Sequence, residues 1–267
     1  MRNRRWQPAL LIRASIVLHL LALISVVIEP GLWRWALAVV VANQVLLILP
    51  GLWPRSQWLG TNWTQLPAAA SARNEIALTI DDGPDPFVTT QVLDLLDRHA
   101  VKATFFCVGE KAARYPDLCR EIIRRGHAVE NHSQHHRNGF ALMGYAGIMR
   151  ELLAAQDTLT TITGQRPRFF RAPAGIRNLL LDRALAHLGL QLASWSCRGF
   201  DTRIDDVERV SARLLKGVRA GAILLMHDGN AARMHDGTPV ILGVLPTLLA
   251  AAADADLNFV TLPQALA

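Results

Sequence analysis

The chain carries five short polar clusters, each directly after an apolar run. Asp81-Asp82-Gly83-Pro84 follows EIALTI. Successive residues of an extended chain point opposite ways, so one carboxylate can face an ion while its neighbour acts as a base. An ordinary acidic turn is the plain alternative. His132-Ser133-Gln134-His135-His136 follows HAVEN. On a helical turn, imidazoles four residues apart share a face and can hold one ion, as His132 and His136 would. His135, three residues from His132, offers a competing pair, and a solvated polar loop reads the same way. Arg171-Ala172-Pro173-Ala174-Gly175 follows RFF. An arginine at a strand end can grip a carboxylate with two prongs and keep it ionised. Cys197-Arg198-Gly199-Phe200-Asp201 follows LASWS, and His227-Asp228-Gly229 follows AILLM. A histidine there can donate a proton, with a carboxylate raising its pKa. The MHDG at 226–229 recurs at 234–237, but His235 follows no strand and reads as loop.

The elements that must position these clusters alternate regularly. Strands are predicted at 75–80, 103–108, 127–130, 168–171, 190–194, 222–226 and 258–261. Helices are predicted at 89–99, 117–125, 144–162, 179–188, 205–218 and 240–253, with glycines at 126, 164 and 189 as stops. This α/β grammar predicts a parallel sheet with helices outside, closed or nearly closed into a distorted barrel of seven strands. In such barrels chemistry collects at the C-terminal ends of the strands. All five clusters fall there.

The first sixty residues are different. Two apolar runs, about 9–28 and 32–50, each approach the roughly 20 residues that cross a bilayer as a helix. Glu29-Pro30-Gly31 between them signals a turn. Residues 1–60 therefore read as a two-helix transmembrane anchor, 61–74 as a linker, and 75–267 as the large folded domain. A second apolar run, with no prompt cleavage site after the first, argues against a removed signal peptide. Asn43 and Gln44 make the second run the poorer one. Of the 267 residues, 51% are apolar and 19% charged, with net charge +6. Six arginines against one acid in residues 1–60 account for nearly all of that excess. The remainder is close to neutral, which speaks against nucleic-acid binding. Arg2, Arg4, Arg5 and Arg55 flank the hairpin on the side shared with the large domain, whereas its tip has Arg34. If both runs span, the positive-inside rule places that domain in the cytoplasm, at a bacterial-type inner membrane; if the second only lies in the interface, the domain sits outside. Cysteines 107, 119 and 197 are odd in number and fit reduced thiols.

Taken in order, from Glu75 to Leu262, the clusters resemble the polysaccharide deacetylase family, also called the NodB-homology or carbohydrate esterase family 4 group. LTIDDGPDP matches its T-F-D-D-G-P signature with Ile80 in place of Phe, HSQHH its H-[ST]-x-x-H, RAPAG its R-x-P-x-G, and LLMHD its closing L-x-H-D. ATFFCVG resembles a further family strand. The resemblance implies a distorted (β/α) barrel that removes N-acetyl groups from an amino-sugar glycan, or from a lipid-linked sugar, with a divalent metal, most often Zn2+. It implies Asp82, His132 and His136 as metal ligands and Asp81 as the base that takes the proton of water. Arg171 would orient Asp81, His227 would protonate the leaving amine, and Asp201 would tune His227. The backbone N–H of Ala174 would face the oxyanion. Two positions depart from the family pattern: Ala174 stands where Tyr is frequent, and Thr202 follows Asp201 where Trp is frequent. The competing reading is a catalytically silent glycan-binding or assembly component. Metal-dependent phosphoester hydrolysis lacks both a second acidic metal site and a glycine-rich phosphate cradle.

Overall fold

The computed structural model describes residues 6–266. Helices α1 (Leu10–Ile28) and α2 (Trp33–Leu52) form the N-terminal hairpin, and α3 (Ala68–Ala72) leads into the sheet. The next elements are β1 (Glu75–Asp81), α4 (Thr89–Arg98), β2 (Thr104–Cys107), α5 (Gly109–Arg114), α6 (Pro116–Arg124), β3 (Ala128–Asn131), α7 (Tyr145–Thr163) and β4 (Phe169–Phe170). The chain ends with α8 (Leu181–Leu188), β5 (Gln191–Leu192), β6 (Cys197–Arg198), α9 (Val207–Leu215), β7 (Ile223–His227), α10 (Val240–Asp254) and β8 (Asn258–Phe259).

The strands run parallel in the order β5-β4-β3-β2-β1-β7-β6, with β8 added on β1. The sheet curls into an open barrel. It has eight strands rather than the seven expected, because β6 is only two residues long and leaves no periodic signal. β1 is buried on both faces, which explains why Ile76, Ala77, Leu78 and Ile80 are apolar on either side of it. Ile76, Leu78 and Ile80 pack outward with Val92, Leu96, Val244 and Leu248 of the helices. Ala77 faces the interior, with Phe106, Phe169, Ala193 and Ile223. Helices α7 and α8 stop at Gly164 and Gly189, both left-handed with φ of 70° and 69°, as the sequence predicts.

The stretch 61–74, expected to be a linker, is packed onto the sheet. Trp63 bridges Ala193, its N–H bonds Leu192 O at 2.9 Å, and Ser194 N–H returns to Trp63 O at 2.8 Å. Leu66 N–H reaches Gly221 O at 2.8 Å. Trp63 meets Phe169 edge-on at 5.1 Å, and Leu66 and Ala70 are buried. These are single bridges made by scattered residues, so no periodicity announces them. They cover the seam between β5 and β6, which are consecutive in the chain yet form opposite edges.

Both N-terminal helices are long and apolar enough to cross a bilayer, with mean hydropathies of 2.4 and 2.0. Most of their side chains are exposed. The polar residues that weaken the second run both pair with the first helix, Asn43 buried and Gln44 exposed. Asn43 Nδ2 donates to Ser15 Oγ at 2.5 Å, and Gln44 Nε2 meets His19 Nε2 at 2.9 Å. The end of α2 is fastened to the barrel. Arg177 N–H bonds Gly51 O at 3.0 Å, and its guanidinium bonds Ser56 O. Ser194 Oγ bonds Pro54 O at 2.6 Å, and Arg55 bonds Ser196 O at 3.1 Å. Trp6 Nε1 donates to Asp182 at 2.9 Å.

Trp63→Ala should lower stability by about 2–3 kcal/mol, since it removes a partly buried aromatic and leaves a void at the seam. Denaturant unfolding of the purified protein measures this.

Candidate active site

A cleft of about 530 Å³ opens at the C-terminal ends of the strands. Asp81, Asp82, His132, His136, Ala174 and His227 all line it. The parallel register explains the convergence. Asp81 pairs with Phe106 on β2 and with His227 on β7, so carboxylate and imidazole leave neighbouring strands at one level.

Asp82 lies just past β1 with a left-handed backbone, φ 73°. Its Oδ1 is 3.2 Å from His132 Nε2 and 3.1 Å from His136 Nε2. Its Oδ2 accepts from Asn230 Nδ2 at 3.0 Å. Lys111 Nζ bonds the Asp82 carbonyl at 2.8 Å and fixes the turn. His132 is buried, and its Nδ1 donates to Arg171 O at 2.8 Å. That bond leaves the Nε2 lone pair aimed at Asp82. Oδ1 of Asp82 is buried without a hydrogen-bond donor, and it faces two imidazole nitrogens. One ligand atom from each of these three residues lies within 4.8 Å of the others. A carboxylate and two imidazoles around one point suit a borderline-soft divalent cation with positions left open. Burial opposes ionisation of Asp82, but the adjoining imidazoles, His132 first and then His227 and His136, hold it well below the usual carboxylate range.

The two histidines do not share a helix face. Residues 132–136 form a loop, with Ser133 and His136 at φ of 64° and 47°. The helical-turn expectation fails because the turn is built from left-handed residues. Asn131 Oδ1 and Ser133 Oγ accept from the N–H groups of Ser133 and His136. His135 points elsewhere: its Nδ1 meets Glu151 Oε1 at 2.8 Å and its N–H bonds Oε2 at 3.0 Å.

Asp81 is held from behind. Arg171, only 1% exposed, donates to Asp81 Oδ1 at 2.6 Å and to Thr79 Oγ1 at 2.8 Å. Its remaining donors reach Ala193 O and Ser194 O, and its guanidinium lies 4.2 Å from the Phe106 ring centre. Burial pushes the guanidinium pKa down, and Asp81 opposes that. Asp81 Oδ2 is 3.9 Å from His132 Nε2, beside the three-ligand cluster.

On the other wall, His227 Nδ1 meets Asp201 Oδ1 at 3.0 Å, and His227 N–H bonds Asp201 Oδ2 at 2.7 Å. Burial works against protonation of His227, but Asp201 prevails and raises its pKa to about 9. Ala174 sits in the left-handed region at φ 55°, on the cleft wall. His235 is exposed on its loop. Thr79, Asn230 and Lys111 contribute to the site without having been singled out. Asn230 follows the HDG motif by one residue, the only local signal for it. Asp228 is also buried, accepting from Thr89 Oγ1 at 2.5 Å, and its pKa is raised by burial to about 7.

Residues 68–193 match the model of the polysaccharide deacetylase family. A chitooligosaccharide deacetylase of Bradyrhizobium sp. is 38% identical over 60% of this chain and 73% of its own length. The chain belongs to the polysaccharide deacetylase family. The curated relatives it matches are deacetylases, hydrolases that act on amide bonds. A peptidoglycan-N-acetylglucosamine deacetylase of Bacillus cereus is 28% identical over 79% of this chain and 76% of its own length. Among solved structures, a peptidoglycan N-acetylglucosamine deacetylase superposes with TM-score 0.68 at 27% identity, covering 76% of this chain and 91% of that one. A family 4 carbohydrate esterase from Streptomyces lividans gives 0.63 at 28%, covering 69% and 91%. The curled parallel barrel is the fold of this deacetylase family.

The His227–Asp201 pair makes stability depend on pH. The folded pKa of His227 lies above its ordinary 6.5, so the stabilisation is complete below about pH 6.5 and is lost as pH rises through about 9. Unfolding free energy should therefore fall between pH 6 and pH 10. Asp201→Asn should flatten that decline and cost about 3 kcal/mol at pH 6, the scale of a broken buried pair. Denaturant titrations at the two pH values measure both.

Proposed function

We propose that this chain is a membrane-anchored, metal-dependent hydrolase that removes N-acetyl groups from an amino-sugar glycan or a lipid-linked sugar. The carrying observation is the buried, donorless Asp82 Oδ1 facing two imidazole nitrogens beside a carboxylate clamped by Arg171. Asp82, His132 and His136 would hold a divalent cation, best Zn2+, which lowers the pKa of water and polarises the acyl carbonyl. Asp81, oriented by Arg171, accepts the proton of the attacking water. The water oxygen adds to the acyl carbon, and the Ala174 N–H donates to the oxyanion. His227, protonated at neutral pH through Asp201, gives its proton to the departing amine. The C–N bond breaks, and acetate and a free amino sugar leave. A silent glycan-binding component needs neither an oriented base nor a protonated acid, and this cleft has both.

The similar chitooligosaccharide and peptidoglycan-N-acetylglucosamine deacetylases favour N-acetylglucosamine as the sugar attacked. The two apolar helices support an anchor in a bacterial-type inner membrane, residues 1–60, with residues 75–267 as the catalytic domain. The arginine distribution supports a cytoplasmic position for that domain. Arg55 is part of that argument, as are Arg2, Arg4 and Arg5, which lie outside the described residues.

Purified protein should release acetate from an N-acetylated oligosaccharide, and a chelator should stop it. Asp81→Asn should cut kcat by roughly 10²–10⁴-fold yet retain metal. His132→Ala should lose metal on dialysis. Metal analysis of both variants decides the division of roles: equal metal loss contradicts it. A reporter fused after Ala267 should report a cytoplasmic location.

A further inference from the structure

One charged group in the cleft has no part in this chemistry. Arg198, on β6, lines the cleft opposite the Asp82 cluster. Its guanidinium is sandwiched between aromatic rings, 5.3 Å from the Trp195 centre and 4.5 Å from that of Phe200. Among the described residues it makes no ion pair and no side-chain hydrogen bond, and its Nε is buried without an acceptor; Asp201, Asp81 and Asp82 attract it from beyond contact distance, each already bonded to His227, Arg171 or Asn230. Arg203 lines the same wall, also without an ion pair. The other arginine of the site, Arg171, is fully engaged by Asp81, Thr79 and two carbonyls.

A glycan made only of hydroxyls and amides would cover Arg198 and leave a cation unpaired, which is costly. An anion would satisfy it. Stacking between two rings orients the planar fork for bidentate recognition. Trp195 connects this wall to the hairpin. Gly175 has no room for a Cβ, which would meet the Trp195 ring at 2.6 Å and Pro54 at 2.7 Å. Pro54 directly follows Trp53, the C-cap of α2, and Arg55 is bonded to Ser196. Exposed Trp53 and Trp58 flank this helix end, as an interfacial belt would. The anion-binding wall is thus fixed within a few residues of a membrane-crossing helix.

We infer that Arg198, assisted by Arg203, binds a phosphate group of the substrate, and that the substrate is an N-acetylated amino sugar joined to a membrane lipid through phosphate. This rests on the deacetylase reading and narrows its substrate. The test uses full-length, metal-loaded protein in lipid nanodiscs. Three substrates share N-acetylglucosamine: chitotetraose, N-acetylglucosamine 1-phosphate, and N-acetylglucosamine on a polyprenyl diphosphate. Acetate release from the lipid-linked sugar should exceed that from chitotetraose by about tenfold or more in kcat/KM, the scale of one charge-assisted hydrogen bond. Arg198→Gln should erase that ratio, and Arg198→Lys should restore part of it. Preference for the soluble 1-phosphate over the lipid-linked sugar would support the phosphate site and overturn the lipid source. A ratio unmoved by Arg198→Gln overturns the inference. Equal loss on all three substrates does so too, because it marks a structural role. If the wild type releases acetate from none, the deacetylase reading itself falls. Calorimetric titration with N-acetylglucosamine 1-phosphate then judges Arg198 by itself, and binding unaffected by Arg198→Gln overturns its assignment.

Discussion

The buried ion pair between Arg171 and Asp81 is the constraint around which the site is built. A guanidinium and a carboxylate withdrawn from water are costly unless almost every donor finds an acceptor. Here the arginine reaches Asp81, Thr79, Ala193 O and Ser194 O, and lies over Phe106. Those partners belong to β1, β2 and the chain leaving β5. One side chain therefore ties the middle of the sheet to its edge. The backbone carbonyl of the same residue sets the tautomer of His132. The orientations of Asp81 and His132 are coupled through a single residue.

Strain gathers around this pair. Asp82, His136, Ala174 and Phe200 all line the cleft, and all hold left-handed backbones that L-residues adopt at a cost. Each aims a polar group or a ring where an ordinary extended or helical residue could not. Supports around them offset the cost: Lys111 on the Asp82 carbonyl, Ser133 Oγ on the His136 N–H, and Asp228 packed against Gly83. The flanking strands, by contrast, are regular and apolar.

Much of this was legible in the sequence. β1 and β7 are continuous apolar runs ended by charged residues, so their positions and the site residues after them were readable. The three metal-ligand candidates, Asp81 and His227 line one cleft, with Arg171 and Asp201 buried behind the last two. The local geometry of 132–136 was not readable, because spacing alone cannot distinguish a helical turn from a loop of left-handed residues. The two-residue strand β6 left no pattern, and the role of 61–74 was hidden because Trp63, Leu66 and Ala70 act through isolated long-range contacts. Asn43 and Gln44 looked like defects in a membrane helix until their partners Ser15 and His19 were placed beside them.

The packing of Trp63, Leu66 and Ala70 has a practical corollary. Cutting the chain at residue 75 would strip the cover from Phe169 and Ala193 and leave the β5 edge without its bridge. Separating the barrel from the helical hairpin at that point would thus damage the barrel itself, and a fragment for biochemistry needs its first cut upstream of Pro54.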